Sequence, residues 1–225
     1  NIDFPHALEL LAGKAGVALP EKSSNRTKPK NGIDKADLYL PNTVAAHFFH
    51  QVLTHHALGQ QAHDYLQSRN VNEKSVTAFQ LGYAPAKSDA LKALFVKRQI
   101  SERTIQLAGE PDRFRHRVMF PFRDILGRIV GFSGRALGDQ MPKYLNTGET
   151  QIFHKNKYLY GLYEAKKAIA AAEKIILVEG QLDLIMAHQA GTCYTVATSG
   201  TALTDDHLII LRRYSDTLLL GFDGD

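Results

Sequence analysis

The sequence predicts a mixed α+β part followed by an α/β part that is built on a parallel sheet. Three observations lead to this fold class. Helix-type periodicity dominates the first half of the chain, two β-rich runs lie in its middle, and short apolar strands alternate with helices from Leu162 onward. Because parallel strands are buried on both faces, they read as apolar runs. We therefore divide the chain into residues 1–160 and 161–225.

The first half is predicted to be helical with one interruption. The stretch 18–33 holds Ser, Asn, Pro, Lys and Gly without any period, which predicts a flexible linker. Elsewhere the apolar residues recur at helical spacing. The predicted helices span residues 3–16, 34–58, 60–69, 73–80, 88–98 and 101–107.

The middle of the chain predicts a β-hairpin. The runs RVMFPF (117–122) and IVGF (129–132) are rich in strand-forming residues, and the segment 124–127 between them has the composition of a turn. A further short extended piece is predicted over 143–145, inside a loop that Gly and Pro residues interrupt.

The last third predicts parallel strands joined by helices. The apolar runs IILV (175–178), 194–197 and TLLLGF (217–222) are each preceded by a stretch with helical character. This alternation is typical of βαβ units. The predicted helices span residues 162–173, 181–190 and 203–213.

The composition favours a folded protein with an anionic partner. Of the 225 residues 44% are hydrophobic, which excludes wholesale disorder. The formal net charge is only +4, but residues 113–157 hold nine Lys and Arg against three acidic residues. Such a concentration of one sign points to an anion. The single Cys193 excludes an internal disulfide and a multi-cysteine zinc site in this chain. Without an apolar run of membrane length or a signal peptide, we expect an intracellular protein that has no membrane partner.

Carboxylates follow two of the predicted parallel strands. Glu179 comes directly after IILV, and Asp223 and Asp225 come directly after LLLGF. The carboxyl ends of such strands meet at one edge of the sheet, where two like charges about 4 Å apart repel by roughly 4 kcal/mol. A cation relieves this repulsion, and carboxylate oxygens favour Mg²⁺ or Mn²⁺. Asp183, one helical turn after Glu179, would join the cluster. The alternative is that these residues cap helices or lie solvated in loops.

The basic segment predicts a phosphate-binding surface. Arg113, Arg115 and Arg117 alternate, so in a strand they would share one face. Arginine binds phosphate through two parallel hydrogen bonds. Basic residues interleaved with aromatics suit single-stranded nucleic acid or a nucleotide. The alternative is an ordinary solvated charged face. The other candidates are Arg135, which follows the second strand, and Lys143 and Lys155, which lie next to Tyr144 and His154.

Several motifs together carry a family resemblance. VEGQLD followed by FDGD resembles the Toprim signature, in which a Glu on one strand is combined with a DxD on a later one. The upstream motifs DRFRHRVMFPFRD, GFSGR, PKYLNTGET, FHKNKYLYGLYEA and ATSGTALT resemble the polymerase core of bacterial replicative primases of the DnaG type. This resemblance covers nearly the whole chain. It implies that residues 161–225 are the first part of a Toprim subdomain, truncated here, with a Rossmann-like parallel sheet.

The resemblance implies an enzyme. Its activity would be DNA-directed RNA polymerisation, in which short RNA primers are made on single-stranded DNA by metal-dependent nucleotidyl transfer from ribonucleoside triphosphates. It implies catalytic roles for Glu179, Asp223 and Asp225, and a Mg²⁺ or Mn²⁺ site formed by these three with Asp183. It also implies nucleotide or nucleic-acid contacts by Arg113, Arg115, Arg117, Arg135, Lys143 and Lys155.

The resemblance further implies a cellular setting. The partners would be the single-stranded template, ribonucleoside triphosphates, the RNA primer and a replicative helicase, all in the bacterial cytoplasm at the replication fork. The helicase would bind a C-terminal domain, and zinc would bind an N-terminal domain, that are both absent from this chain. Because the chain stops inside its acidic motif, we expect a piece of a longer protein that is inactive or impaired when isolated. Two alternatives stay open, another Toprim enzyme of the nuclease or topoisomerase type and a non-catalytic nucleic-acid-binding fragment.

Overall fold

The computed structural model describes residues 32–87, 89–200 and 202–222. The predicted helix over 3–16 and nearly all of the predicted linker lie outside these ranges, as do Asp223 and Asp225. From Lys35 onward the described residues belong to one unit, within which the contacts below are made.

The first part of this unit is helical, as predicted. Two helices begin with side-chain caps, because Asn72 Oδ1 accepts the N–H of Ser75 at 2.9 Å and Ser101 Oγ accepts the N–H of Thr104 at 3.1 Å. No helix among the described residues is long and apolar enough to cross a membrane. The helices are α1 (Tyr39–His55), α2 (Gln60–Ser68), α3 (Glu73–Ala78), α4 (Ala90–Lys97) and α5 (Glu102–Leu107).

An antiparallel sheet follows, in the order β1-β2-β3-β4. The predicted hairpin is confirmed, since the turn after β2 closes with a 2.9 Å hydrogen bond from the N–H of Gly127 to Asp124 O. The edge strand β1 was not predicted. It lies directly on α1, where a Cβ at Gly82 would come within 2.6 Å of Phe49 Cβ. The strands are β1 (Gly82–Ala84), β2 (Arg117–Arg123), β3 (Ile129–Ala136) and β4 (Tyr144–Asn146).

One prediction about this sheet is wrong. Arg113, Arg115 and Arg117 do not share a strand face, because β2 begins only at Arg117. The chain before it forms a 3-10 turn at Pro111–Arg113, and His116 has a left-handed backbone with φ 52°. A proline-initiated turn and a left-handed residue both interrupt the extended backbone that the alternation required.

The last part forms the predicted parallel sheet, in the order β6-β5-β7. The central strand β5 is largely buried, with Ile175 and Leu177 both fully inaccessible. Val178 at the end of β5 pairs with Gly221 at the end of β7, so that the carboxyl ends of the two strands are adjacent. The elements are α6 (Leu162–Ala172), β5 (Ile175–Val178), α7 (Gln181–Gln189), β6 (Thr195–Ala197), α8 (Asp205–Leu211) and β7 (Leu218–Gly221).

Buried aromatic residues join the two sheets. Phe122 of β2 stacks on Phe153 at 5.2 Å between ring centroids and lies 4.6 Å from Tyr158. Beside them Arg123 Nη1 contacts Glu164 Oε1 of α6 at 2.7 Å, and both side chains are mostly buried. Because a partly buried ion pair is costly to separate, these contacts hold the parallel-sheet part in a defined position.

We predict that Gly161 is a sensitive position at this junction. Gly161 has φ +77°, and a Cβ there would lie 2.5 Å from Cδ1 of the fully buried Leu184, whereas Gly138 has a similar φ of +72° with no atom within 4 Å. Gly138→Ala should therefore lower the free energy of unfolding only by the backbone strain, about 1 to 2 kcal/mol. Gly161→Ala should cost about 1 to 3 kcal/mol more because it also overpacks the core.

Urea unfolding of both variants measures this difference. Equal midpoints for Gly161→Ala and Gly138→Ala would show that Leu184 yields freely and that the junction is not tightly packed.

Candidate functional site

A groove lies between the end of α2, the β3–β4 hairpin and the start of α7. It has a volume of about 480 Å³. Two of the predicted basic residues and one of the predicted metal ligands line it together. The residues of this α2–α7 groove are Tyr65, Arg69, Arg135, Lys143, Tyr144, Gly180, Leu182, Asp183 and Met186.

The acidic wall of the groove is the tight turn between β5 and α7. Glu179 follows β5 and is exposed, but it is not among the residues that line the groove; its carbonyl accepts the N–H of Ser199 at 2.9 Å. Asp183 Oδ2 accepts the N–H of Gly180 at 3.0 Å, so this carboxylate caps α7. A Cβ at Gly180 would lie 2.7 Å from that oxygen, so a larger residue there would displace the Asp183 carboxylate.

The acidic wall has the chemistry of a divalent-cation site. Glu179 and Asp183 present exposed carboxylates, the hard oxygen donors that Mg²⁺ and Mn²⁺ favour. Asp223 follows Gly221, the last residue of the neighbouring strand β7, by two residues in the sequence. Within the described ranges no three His, Cys, Asp or Glu side chains are grouped for a metal, and Asp223 and Asp225 lie outside those ranges.

The opposite wall combines arginine with tyrosine. Arg135 pairs across the hairpin with Tyr144. Its guanidinium lies 4.5 Å from the ring centroid of Tyr65 and 5.7 Å from that of Tyr144. The guanidinium of Arg69 also lies over the Tyr65 ring, 5.6 Å from its centroid. Cation–π contacts of this kind hold a guanidinium without neutralising it. In the described part of the chain no carboxylate lies within 4 Å of the Arg135 guanidinium, so its charge is available to an anion.

The two walls are close enough to influence each other electrostatically. Burial raises the pKa of the Tyr144 phenol, Arg135 opposes this rise, and the charges of Tyr65 and Asp183 add to it. Tyr144 is therefore a neutral phenol at physiological pH. Asp183 of the acidic turn and Arg135 and Tyr144 of the basic hairpin line the same groove.

Arg117 supports the β3–β4 hairpin of the groove. It is only 4% exposed, and its Nη1 donates to Gly134 O at 3.0 Å and to Pro142 O at 2.9 Å. These acceptors immediately precede Arg135 and Lys143, so Arg117 fixes the hairpin that carries both. A buried guanidinium that is bound to two carbonyls is a structural group in this conformation.

Arg113 and Arg115 are tied to the backbone as well. Arg113 Nη2 donates to Asn146 O at 2.6 Å, and Arg115 donates to the carbonyls of Asp112 and Phe114. Neither lines the α2–α7 groove. A nucleic-acid contact by these two residues remains a prediction.

Lys155 also lies outside the lining of the groove. It begins the 3-10 turn Lys155–Lys157, and its N–H donates to Glu149 Oε1 at 2.8 Å. The start of α8 holds this turn, because Thr204 Oγ1 donates to Asn156 O at 2.8 Å. The predicted role of Lys155 in binding nucleotide remains a prediction.

Sequence reasoning missed two residues of the basic wall, Tyr65 and Arg69. Tyr65 lies on α2 and Arg69 directly follows it, far from the basic segment, and only their spacing of four residues could have pointed to a shared surface. The Tyr65 hydroxyl is buried and has no hydrogen-bond partner among the described residues.

Comparisons with known proteins give a consistent family assignment. Residues 48–166 match the family described as DNA primase catalytic core, N-terminal domain, and residues 176–225 match the family described as Toprim-like. A DNA primase of Pseudomonas putida is 42% identical over 236 residues, which cover 100% of this chain and 36% of that protein. A DNA primase of Halalkalibacterium halodurans is 40% identical over 235 residues, which cover 99% of this chain and 38% of that protein.

Solved structures agree. The DnaG primase catalytic domain bound to ssDNA is 38% identical with a TM-score of 0.78, covering 84% of this chain and 62% of that chain. The RNA polymerase domain of Mycobacterium tuberculosis primase DnaG is 32% identical with a TM-score of 0.79, and the match covers 85% of this chain and 68% of that chain.

The chain spans a little more than a third of the length of the two curated primases above. The primase-core match nevertheless takes in more than half of the chain, and the fold of the matching structures is shared. The helical and antiparallel part with its parallel-sheet extension therefore belongs to the family of DnaG-type DNA primases.

Proposed function

We propose that the protein containing this chain is a DNA-directed RNA polymerase that makes short RNA primers on single-stranded DNA. The observation that carries this proposal is the α2–α7 groove, which is lined by arginine and tyrosine together with Asp183 of the turn that follows Glu179. Family membership supports it, because the matched relatives are DNA primases.

In this proposal the basic and aromatic wall binds the template. Aromatic faces stack with bases of any sequence, and guanidinium and ammonium groups bind the phosphates between them. Arg69, Arg135 and Lys143 supply the positive charge, and Tyr65 and Tyr144 supply the rings. A matched primase structure is described as bound to ssDNA, which supports a similar use of this surface.

The carboxylates of the acidic turn would hold a divalent cation, Mg²⁺ or Mn²⁺. Glu179 and Asp183 belong to the described structure, and Asp223 and Asp225 would complete the donor set from the neighbouring strand. When bound, such a cation supplies charge stabilisation to a transferring phosphoryl group. Around it, Arg135 and Lys143 would orient the anionic nucleotide and template, and Gly180 would keep the turn tight.

The remaining partners are also part of the proposal. Ribonucleoside triphosphates and the RNA primer end would occupy the acidic side of the groove. A replicative helicase and a zinc site would belong to regions of the longer protein outside this chain. The place of action would be the bacterial cytoplasm, at the replication fork.

The chemical nature of the product tests the proposal. We expect the full-length protein, given single-stranded DNA, ribonucleoside triphosphates and Mg²⁺, to release short labelled chains that alkali degrades, as RNA is. Omission of the DNA is the control and should abolish them. Cleavage or relaxation of DNA without ribonucleotide incorporation would contradict the proposal and favour another Toprim enzyme.

A further inference from the structure

We infer that Gln189 is a positioning residue that ties together the two walls of the α2–α7 groove, an inference that rests on the proposed function. Gln189 is the last residue of α7. Its amide nitrogen donates to Asn70 O at 2.8 Å, and its amide oxygen accepts the N–H of Asn72 at 2.9 Å. One planar amide thus pairs with two backbone groups of a single loop, 119 and 117 residues away along the chain.

The loop that Gln189 holds leads directly from the basic wall. Asn70 follows Arg69 and has a left-handed backbone with φ 58°, so the chain reverses tightly just after the groove-lining arginine. Asn72 at the other end of the loop caps α3 through the N–H of Ser75. Because the loop is short and bonded at both ends, a displacement of Asn70 passes to Arg69.

The helix that carries Gln189 begins at the acidic wall. The Gly180–Asp183 hydrogen bond forms the first turn of α7, and Gln189 ends the same nine-residue helix. A helix this short behaves as a rigid rod, about 1.5 Å long per residue, so anchoring one end sets the direction of the other. The Gln189 amide also contacts Met186 Sδ, at 3.8 Å, in the lining of the groove.

Apolar packing alone would leave the position of α7 relative to the loop at residues 70–72 less defined. Val71, Leu184 and Ile185 share one buried cluster, and the rings of Phe79 and His188 meet edge to face at 5.3 Å. The burial of apolar surface is itself non-directional, so it limits how one element slides along the other less sharply than a hydrogen bond does. Hydrogen bonds require a narrow range of distance and angle. The Gln189 amide therefore sets the register between Arg69 and the Glu179–Asp183 turn.

Gln189→Met in the full-length protein tests this role, because methionine keeps the length and apolar bulk but cannot pair with the loop. We expect the Kd for a labelled oligodeoxythymidine to rise about 3- to 10-fold, as for residues coupled through one hydrogen-bond network. We expect kcat at saturating template to change less than the template KM. The exposed Gln67 of α2, changed to Met, is the matched control and should leave the Kd unchanged. An unchanged Kd in Gln189→Met would overturn the inference.

A double-mutant cycle with Arg69→Ala separates positioning from general destabilisation. If Gln189 acts through Arg69, the double variant should bind little worse than Arg69→Ala alone, whereas additive losses would overturn the inference. Arg135→Ala is measured beside them. Full affinity in Arg135→Ala would overturn the template role of the groove, and this inference with it. Weakened binding in Arg135→Ala together with normal binding in Gln189→Met would overturn this inference alone.

Discussion

Glu179→Gln is expected to lower primer synthesis by the full-length protein by a factor of about 100 or more. Glutamine keeps the size and polarity of the side chain but removes the negative charge at the end of β5. Stabilisation of phosphoryl charge by a bound cation amounts to several kcal/mol, and each 1.36 kcal/mol corresponds to about a factor of ten in rate. The rate of ribonucleotide incorporation at saturating Mg²⁺ measures the effect.

The matched control for this prediction is Glu102→Gln. Glu102 is exposed at the start of α5, outside the turn that carries Glu179 and Asp183, so the same change of charge there should leave the rate nearly unchanged. Because Glu179 is exposed, its variant should unfold at the same midpoint as the parent protein. Near-normal primer synthesis in Glu179→Gln would remove the cation-binding role that we assign to the acidic turn.

The double variant Arg135→Ala and Lys143→Ala is expected to lose about 10- to 100-fold of the affinity for single-stranded DNA at low salt. Both side chains line one wall of the groove, and Arg135 is held there by two tyrosine rings. Each phosphate contact on a single strand contributes about 0.7 to the slope of log K against log salt, so the slope should fall by about 1.4. A salt titration by fluorescence anisotropy gives both quantities.

Lys97→Ala with Arg98→Ala controls for net charge. Both residues are exposed at the end of α4 and neither lines the groove. Their loss should weaken binding slightly through the overall field, with little change of slope. An equal change of slope in the control and the groove variant would show that binding follows net charge and that the groove has no special part in it.

The sequence predicted the order of elements well because the signals are local. The runs 175–178 and 217–222 are uninterrupted apolar segments next to Gly and acidic residues, and both became neighbouring parallel strands. Hydrophobic periodicity likewise located α1 to α5 within a few residues. The three-residue strand β1 was missed, since its burial depends on α1 and not on any alternation of its own.

The basic surface was only partly predictable, because tertiary packing decides which side chains form it. Alternation in RFRHR predicted a strand face, but the turn at Pro111–Arg113 and the left-handed His116 break it, and Arg117 became a buried support for the hairpin. The sequence could not predict Arg69 as a site residue, because α2 reaches Arg135 only through tertiary packing. The acidic turn, by contrast, follows from chain order alone, since a residue after a parallel strand must lie at the edge of the sheet.

In our proposal the acidic turn and the basic and aromatic wall form one site. Anomalous diffraction from crystals of the full-length protein that contain Mn²⁺ and a short single-stranded DNA tests this directly. We expect a manganese peak within about 2.5 Å of a Glu179 carboxylate oxygen, with a DNA phosphate beside Arg135 in the same groove. Manganese bound away from Glu179, or DNA lying across a face that excludes Arg135 and Lys143, would contradict it.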